Sequence, residues 1–228
     1  MNKLMTPFFA LAVASVTAFT LTATPAQADD VKGDASAGAH KVAMCLGCHN
    51  IPGYQATFPE VYKVPKIAGQ GEKYLVSALS AYRKDDRKHP TMKGIAASLS
   101  DQDIADVAAF YAGLGKVDGA QALPDAPVKA PSAEVSALLT KGACASCHGS
   151  NFSKPLDPSY PKLAGQNADY LFVALKAYKT EGHAQMGRNH AIMGGVAKQF
   201  SNNELKALAG YLGSLDGELK TVPESRFH

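Results

Sequence analysis

Apolar residues recur at helical spacing in two stretches of the chain, and the same two stretches return about a hundred residues later. From Gln70 to Tyr82 the apolar positions are Tyr74, Leu75, Ala78, Leu79 and Tyr82, a single helical face. Tyr170, Leu171, Ala174, Leu175 and Tyr178 repeat it. Ser100 is an N-cap for a helix with Ile104, Val107, Ala108, Tyr111 and Leu114 on one stripe. In the second copy Ser201-Asn202-Asn203-Glu204 is a capping box before Leu205, Leu208, Ala209, Leu212 and Leu215. Asp34 to Met44 and Ser132 to Lys141 are more modest helix formers. No stretch alternates with the period of two that a half-buried strand requires, so the pattern predicts an all-α fold.

The recurrence extends to residue identity, which points to one module used twice. Pro65-Lys66-Ile67-Ala68-Gly69-Gln70 matches Pro161-Lys162-Leu163-Ala164-Gly165-Gln166, and Arg87, His89, Met92 and Gly94 match Arg188, His190, Met193 and Gly195. Between the copies, Gly115 to Ser132 carries Pro124, Pro127 and Pro131 with little apolar periodicity and reads as an extended linker. The resulting division is an N-terminal domain at 29–118, a linker at 119–132 and a C-terminal domain at 133–228.

Residues 1–28 have a different character. Lys3 precedes an apolar run from Phe8 to Leu21, and Ala26-Gln27-Ala28 is a small-x-small cleavage site, so the segment reads as a secretory signal cleaved after Ala28. The run is short for a membrane span of about 20 residues. Without the signal the chain holds 22 basic and 20 acidic residues, 11 of each sign in 29–120 and 11 basic with 9 acidic in 121–228. That balance excludes the strongly basic face of a nucleic-acid binder.

All four cysteines fall in two pentapeptides, Cys45-Leu46-Gly47-Cys48-His49 and Cys144-Ala145-Ser146-Cys147-His148. Each is C-x-x-C-H, the attachment motif of a c-type haem. Two thiols three positions apart can add to the vinyl groups of one ring, and the following histidine then lies beneath the iron. Two disulfides or an all-thiolate zinc site are the alternatives for four exported cysteines, but neither explains the histidine after each pair. The cofactors expected are two covalently bound haem c groups, with His49 and His148 as proximal ligands.

The sixth ligand decides what such a centre does, since methionine gives a closed, high-potential electron-transfer site. Met92 and Met193 occupy matching R-x-H-x-x-M-x-G segments and are the expected distal ligands. Met186, in a segment with no counterpart in the first module, competes with Met193, and the matched His89 and His190 leave bis-histidine ligation open. The carbonyls of Pro65 and Pro161 are candidate acceptors for the proximal imidazole Nδ1 protons. Tyr74, Tyr82 and Arg87, with Tyr170, Tyr178 and Arg188, are candidates for haem propionates or for contact between the modules.

With both C-x-x-C-H motifs, both Ala-Gly-Gln-x-x-x-Tyr-Leu segments (68–75 and 164–171) and both methionine loops in place, the chain resembles the dihaem cytochrome c4 family. The resemblance spans Gly33 to Leu215 and implies two tandem class I cytochrome c domains, each wrapped around a covalent haem. It also implies a periplasmic electron carrier with two His/Met haems, serving a terminal oxidase or another redox enzyme near the membrane surface. The expected chain is a monomer that meets redox protein partners and no nucleic acid. The enzymatic alternative is a dihaem peroxidase or small-molecule oxidoreductase, in which one iron loses its distal ligand. The chain departs from the pattern in two places: Ala137 stands where Gly38 would align, which weakens the expectation of an opening helix in the second domain, and the loop from Thr180 to Gly187 is longer than its counterpart.

Overall fold

The computed structural model describes residues 31–116, 119 and 122–224 of the chain. The expected signal sequence lies outside the described residues. Among those residues no helix is long and apolar enough to cross a membrane.

In the first module α1 (Ala35–Ala39) and α2 (Ala43–His49) lead into β1 (Gln55–Ala56) and β2 (Tyr62–Lys63). There follow α3 (Glu72–Arg83), β3 (Arg87–Lys88), α4 (Pro90–Ala97) and α5 (Asp101–Gly113). The second module repeats the helices as α6 (Ala133–Lys141), α7 (Ala145–His148), α8 (Ala168–Ala177), α9 (Ala191–Ala197) and α10 (Asn202–Gly213), with β4 (Gly187–Arg188) before α9. The fold is all-α apart from two antiparallel two-residue ladders, β1–β2 and β3–β4. They are too short for alternation to announce them, and the second joins strands about 100 residues apart.

The helix ends follow local chemistry. The Ser100 hydroxyl accepts from the Asp103 N–H while the Asp103 carboxylate accepts from the Ser100 N–H, and Ser201 with Glu204 does the same for α10. Each box satisfies backbone donors that the first helical turn would otherwise leave unpaired. The stripes expected on α5 and α10 are the cores of their modules. Ile104, Ala108 and Tyr111 pack with Val42, Leu46, Leu75 and Val76, whereas Leu205 and Leu208 pack with Leu138 and Phe200.

The region Asp34 to Met44 is not one helix. Asp34 caps the five-residue α1, and the chain turns before α2. Gly38 lies so close to α5 that a Cβ there would stand 2.2 Å from the Asp106 carbonyl oxygen. The Asp106 carboxylate, 2% exposed, accepts from the Asp34 N–H at 2.8 Å and from Lys41 Nζ at 2.6 Å. In the second module the opening helix does form. It is α6, nine residues long, capped by the Ser132 hydroxyl and held by Leu138 rather than by a glycine contact.

The modules meet through a reciprocal clasp. The Gln166 side chain accepts from the Lys66 N–H at 2.9 Å and donates to the Lys66 carbonyl at 2.9 Å. Gln70 does the same to Lys162, at 2.9 and 3.1 Å. Lys66 Nζ donates to the Gly165 carbonyl and Lys162 Nζ to the Gly69 carbonyl, at 2.7 and 2.8 Å. Every one of these bonds is repeated with the modules exchanged. Both glutamines are 4% exposed, so the clasp also meets the rule that buried polar groups find partners.

Candidate haem sites

Helix α2 carries Cys45, Cys48 and His49, and Cys144 stands at the N-cap of α7 ahead of Cys147 and His148. No disulfide joins the four cysteines, and among the described residues no group of three or more His, Cys, Asp or Glu side chains converges as a metal cluster would. A four-cysteine zinc site therefore has no geometric basis here. Burial pushes the Cys45 thiol up to about 11 and raises Cys144 as well.

The two histidines are oriented alike. His49 Nδ1 lies 2.9 Å from the Pro65 carbonyl oxygen and His148 Nδ1 lies 3.0 Å from that of Pro161. Since a carbonyl only accepts, each Nδ1 carries the proton, and Nε2 is left with its lone pair for a metal. Burial lowers both imidazole pKa values, and the proline carbonyls pull in the opposite direction. Each is thus a neutral imidazole in fixed orientation at neutral pH, as ligation requires.

Met92 on α4 and Met193 on α9 sit in the third position of helices that are capped by histidine. His89 Nδ1 accepts from the Met92 N–H at 3.3 Å, and His190 Nδ1 accepts from the Met193 N–H at 3.3 Å. His89 Nε2 also lies 3.1 Å from the Tyr62 hydroxyl. The matched histidines therefore serve as helix caps beside the methionines.

One cavity of about 840 Å³ runs through both modules. Cys48, His49, Pro65 and Met92 line it on one side of the seam, and Cys147, His148, Pro161 and Met193 on the other. Met186 lines a separate pocket of about 40 Å³ at the seam, with Tyr62, Tyr82 and Arg188. Its loop folds onto the first module, where Lys88 Nζ donates to the His183 carbonyl at 2.7 Å. The longer loop thus carries Met186 away from the cavity that Met193 lines.

Between the two halves of the cavity stand Arg87 and Arg188, register partners on β3 and β4. Both donate to the Tyr170 hydroxyl, at 2.6 and 3.1 Å, and Arg87 donates to the Tyr74 hydroxyl at 3.2 Å. Burial pushes the Tyr170 phenol up, but the two guanidiniums outweigh it and hold the phenol below the ordinary tyrosine value. Neither guanidinium meets a carboxylate among the described residues, and the buried Arg87 Nε has no hydrogen-bond partner. Two charges so placed need an anion from the cavity. Haem propionates fit that need, just as the cysteine pairs, the oriented imidazoles and the thioethers fit the rest of the ring.

The sequence reading left four participants without a role. Gln70, Gln166, Lys66 and Lys162 hold the modules together, although the repeated Pro-Lys-x-Ala-Gly-Gln segment was legible as a unit. The proline of that segment faces the histidine, while its lysine and glutamine face the other module.

Comparison with known proteins adds the following. The family model described as Cytochrome c matches residues 35–114 and again 132–216. The chain is 32% identical over 185 residues to cytochrome c4 of Pseudomonas aeruginosa, covering 80% of this chain and 89% of that one. It is 31% identical over 219 residues to the thiosulfate dehydrogenase electron acceptor of Stutzerimonas stutzeri, covering 89% and 94%. Among solved structures it is similar to reduced recombinant cytochrome c4 from Pseudomonas stutzeri, with a TM-score of 0.54, 29% identity and coverage of 81% of this chain and all of that one.

Proposed function

The chain belongs to the cytochrome c4 family, electron carriers with two cytochrome c domains and two covalently attached haem c groups, and from that premise we propose how its residues divide the work. Cys45, Cys48, His49 and Met92 hold one haem; Cys144, Cys147, His148 and Met193 hold the other. When attached, each haem supplies a one-electron ferrous–ferric couple. Pro65 and Pro161 fix the imidazoles through Nδ1 and raise their basicity. Met92 and Met193, which line the same cavity, would supply the second protein ligand of each group, and with it bound no open position would be left for small molecules. Arg87 and Arg188 place positive charge at the seam, where they would hold propionate carboxylates.

The observation that carries this reading is the matched set: an oriented histidine and a methionine on a histidine-capped helix line the same cavity in each module. The protein accordingly moves single electrons between redox partners. The finer proposal is export to the periplasm, with cleavage after Ala28, and delivery of electrons to a terminal oxidase or another periplasmic reductase, close to the membrane surface. A second reading, supported by the likeness to a thiosulfate dehydrogenase electron acceptor, is a carrier dedicated to one dehydrogenase.

Redox titration with optical spectra tests the ligand sets. Two high-potential waves and a far-red sulfur-to-iron band in the ferric protein are expected. A single strongly negative wave, or rapid and full binding of cyanide at neutral pH, would overturn the reading in favour of an open, peroxidase-like iron. Affinity purification from native periplasm separates the two partner readings, because a dedicated carrier returns with one dehydrogenase in fixed ratio.

A further inference from the structure

After α10 the chain does not finish on its own module. Residues 218–222 return to the first module and lie along the loop that follows its haem-attachment helix. The Lys220 N–H donates to the Ala68 carbonyl at 3.0 Å, an isolated antiparallel bridge. Val222 packs against the first module's core, and its carbonyl accepts from Asn50 Nδ2 at 2.7 Å.

Those contacts close on the surroundings of His49. Asn50 is the next residue in the chain, 5% exposed, and its other polar atom, Oδ1, accepts from the Tyr111 hydroxyl at 2.9 Å. The tail carbonyl is therefore what completes a buried amide beside the histidine. Ala68 and Gly69 belong to the same short loop as Pro65, the acceptor for His49 Nδ1. Gly69 has φ +78°, donates to the Tyr111 carbonyl at 2.9 Å, and is so close to the tail that a Cβ would stand 2.5 Å from the Glu218 carbonyl oxygen. The loop is held between α5 on one side and the tail of the other module on the other.

In the second module Gly149 follows the histidine, and the nearby buried Asn151 is completed from elsewhere: its Nδ2 donates to the Pro124 carbonyl at 2.8 Å, in the connection between the modules. Residues 220–222 thus reach only the first module's loop and asparagine, while Glu218 at the start of the tail also pairs with Lys162 of the second module.

We propose that residues 218–222 are a positioning strap for the first haem site, supplied by the second module. Through Ala68 and Asn50 they set the loop that orients the His49 imidazole. The inference rests on the ligand assignment above, and the experiment separates the two.

The test uses full-length holoprotein carrying Lys220→Pro, which removes the strap's N–H, beside Lys220→Ala, which keeps it. A chain ending at Gly217 provides a second variant. Partners that orient a metal-bound histidine are worth about tenfold or more in site properties. The expected result is cyanide binding to the ferric protein about tenfold faster at one haem, with half of the far-red band lost, in Lys220→Pro and the shortened chain but not in Lys220→Ala. Adding Met92→Ala should then remove no further band, because the same haem is already affected, whereas Met193→Ala should remove the remainder. Failure to retain one haem of two, with Met193 still giving its band, supports the strap equally. Equal change at both haems, or none at either, overturns it. If Met92→Ala alone leaves the band intact, the ligand assignment fails instead.

Discussion

The two modules present the same pentapeptide from different entrances. In the first, a five-residue helix is pressed onto α5 through Gly38 and fastened by the buried Asp106 carboxylate to Lys41 and the Asp34 N–H. In the second, Ala207 takes the place of Asp106 in the repeat, and a nine-residue helix is held by the apolar contacts of Leu138 with Phe200, Leu205 and Leu208. Downstream of the cysteines the two are nearly superposable in their bonding: proline carbonyl to histidine, histidine cap to methionine helix, glutamine to the opposite module. Geometry at an iron ligand tolerates little displacement, while the approach to a thioether can be built in more than one way. The fold repeats where the chemistry is exacting and diverges where only a rigid backbone is needed.

That contrast can be broken most sharply at the methionines. Met92→Ala and Met193→Ala should each abolish half of the far-red band and open one iron to cyanide, while Met186→Ala, in its separate seam pocket, should leave the ferric spectrum intact. Loss of band in Met186→Ala would mean that the modules differ at the iron as well as at the entrance.

The entrances themselves should respond unequally. Gly38→Ala drives a methyl into the Asp106 backbone and should destabilise the first module by about 2 kcal/mol, read in thermal melts of the holoprotein. Its mate Ala137 is exposed on α6, so Ala137→Gly should cost only the helix propensity, about 1 kcal/mol. Equal effects would show that the close approach at Gly38 does not hold α1.

Asp106 adds a pH dependence at the first entrance, where the second module has Ala207 in its place. Lys41, together with the Asp34 N–H and Gln102, holds its carboxyl below the usual carboxylate range. A depressed folded pKa means that its contribution is complete above the unfolded value of about 3.9 and is lost as pH falls towards the folded one. Asp106→Asn should therefore cost about 2 kcal/mol at neutral pH and flatten the acid side of the stability profile below about pH 4. Melts from pH 6 to 3, comparing this variant with the unaltered chain, provide the check.

The smallest effects should come from the clasp, where the comparison predicts equality. Gln70→Ala and Gln166→Ala each remove one reciprocal pair, at about 1 kcal/mol apiece. A marked difference between them, measured by denaturant unfolding, would show that the apparent symmetry of the seam is not energetic.

Much of this was legible along the chain because it is local. The N-cap at Ser100, the capping box at Ser201 and the stripes through Ile104 and Leu205 were readable from spacing, and the repeated proline segment made Pro65 and Pro161 candidate partners of the C-x-x-C-H histidines. The repeat identified Met92 and Met193 as equivalents, and in the structure each lines the same cavity as its histidine. The break between α1 and α2 was not legible, since it depends on Gly38 meeting a helix some 70 residues further on. The absence of a glycine at Ala137 argues against an opening helix in the second module, yet α6 forms because Leu138 and its neighbours offer a different means of docking.

Taken alone, the sequence determined two haem attachment sites, their ligand candidates and a helical module used twice, because covalent spacing and helical period act over a few residues. Tertiary structure alone decided which methionine turns to the cavity and which to the seam, that Lys66 and Gln70 clasp their own counterparts, that Arg87 and Arg188 share one phenol, and that the tail braces the opposite module. Most of those outcomes join residues far apart in the chain, 83 positions for Arg87 and Tyr170 and 172 for Asn50 and Val222, and they depend on how two finished surfaces fit, which no local pattern encodes.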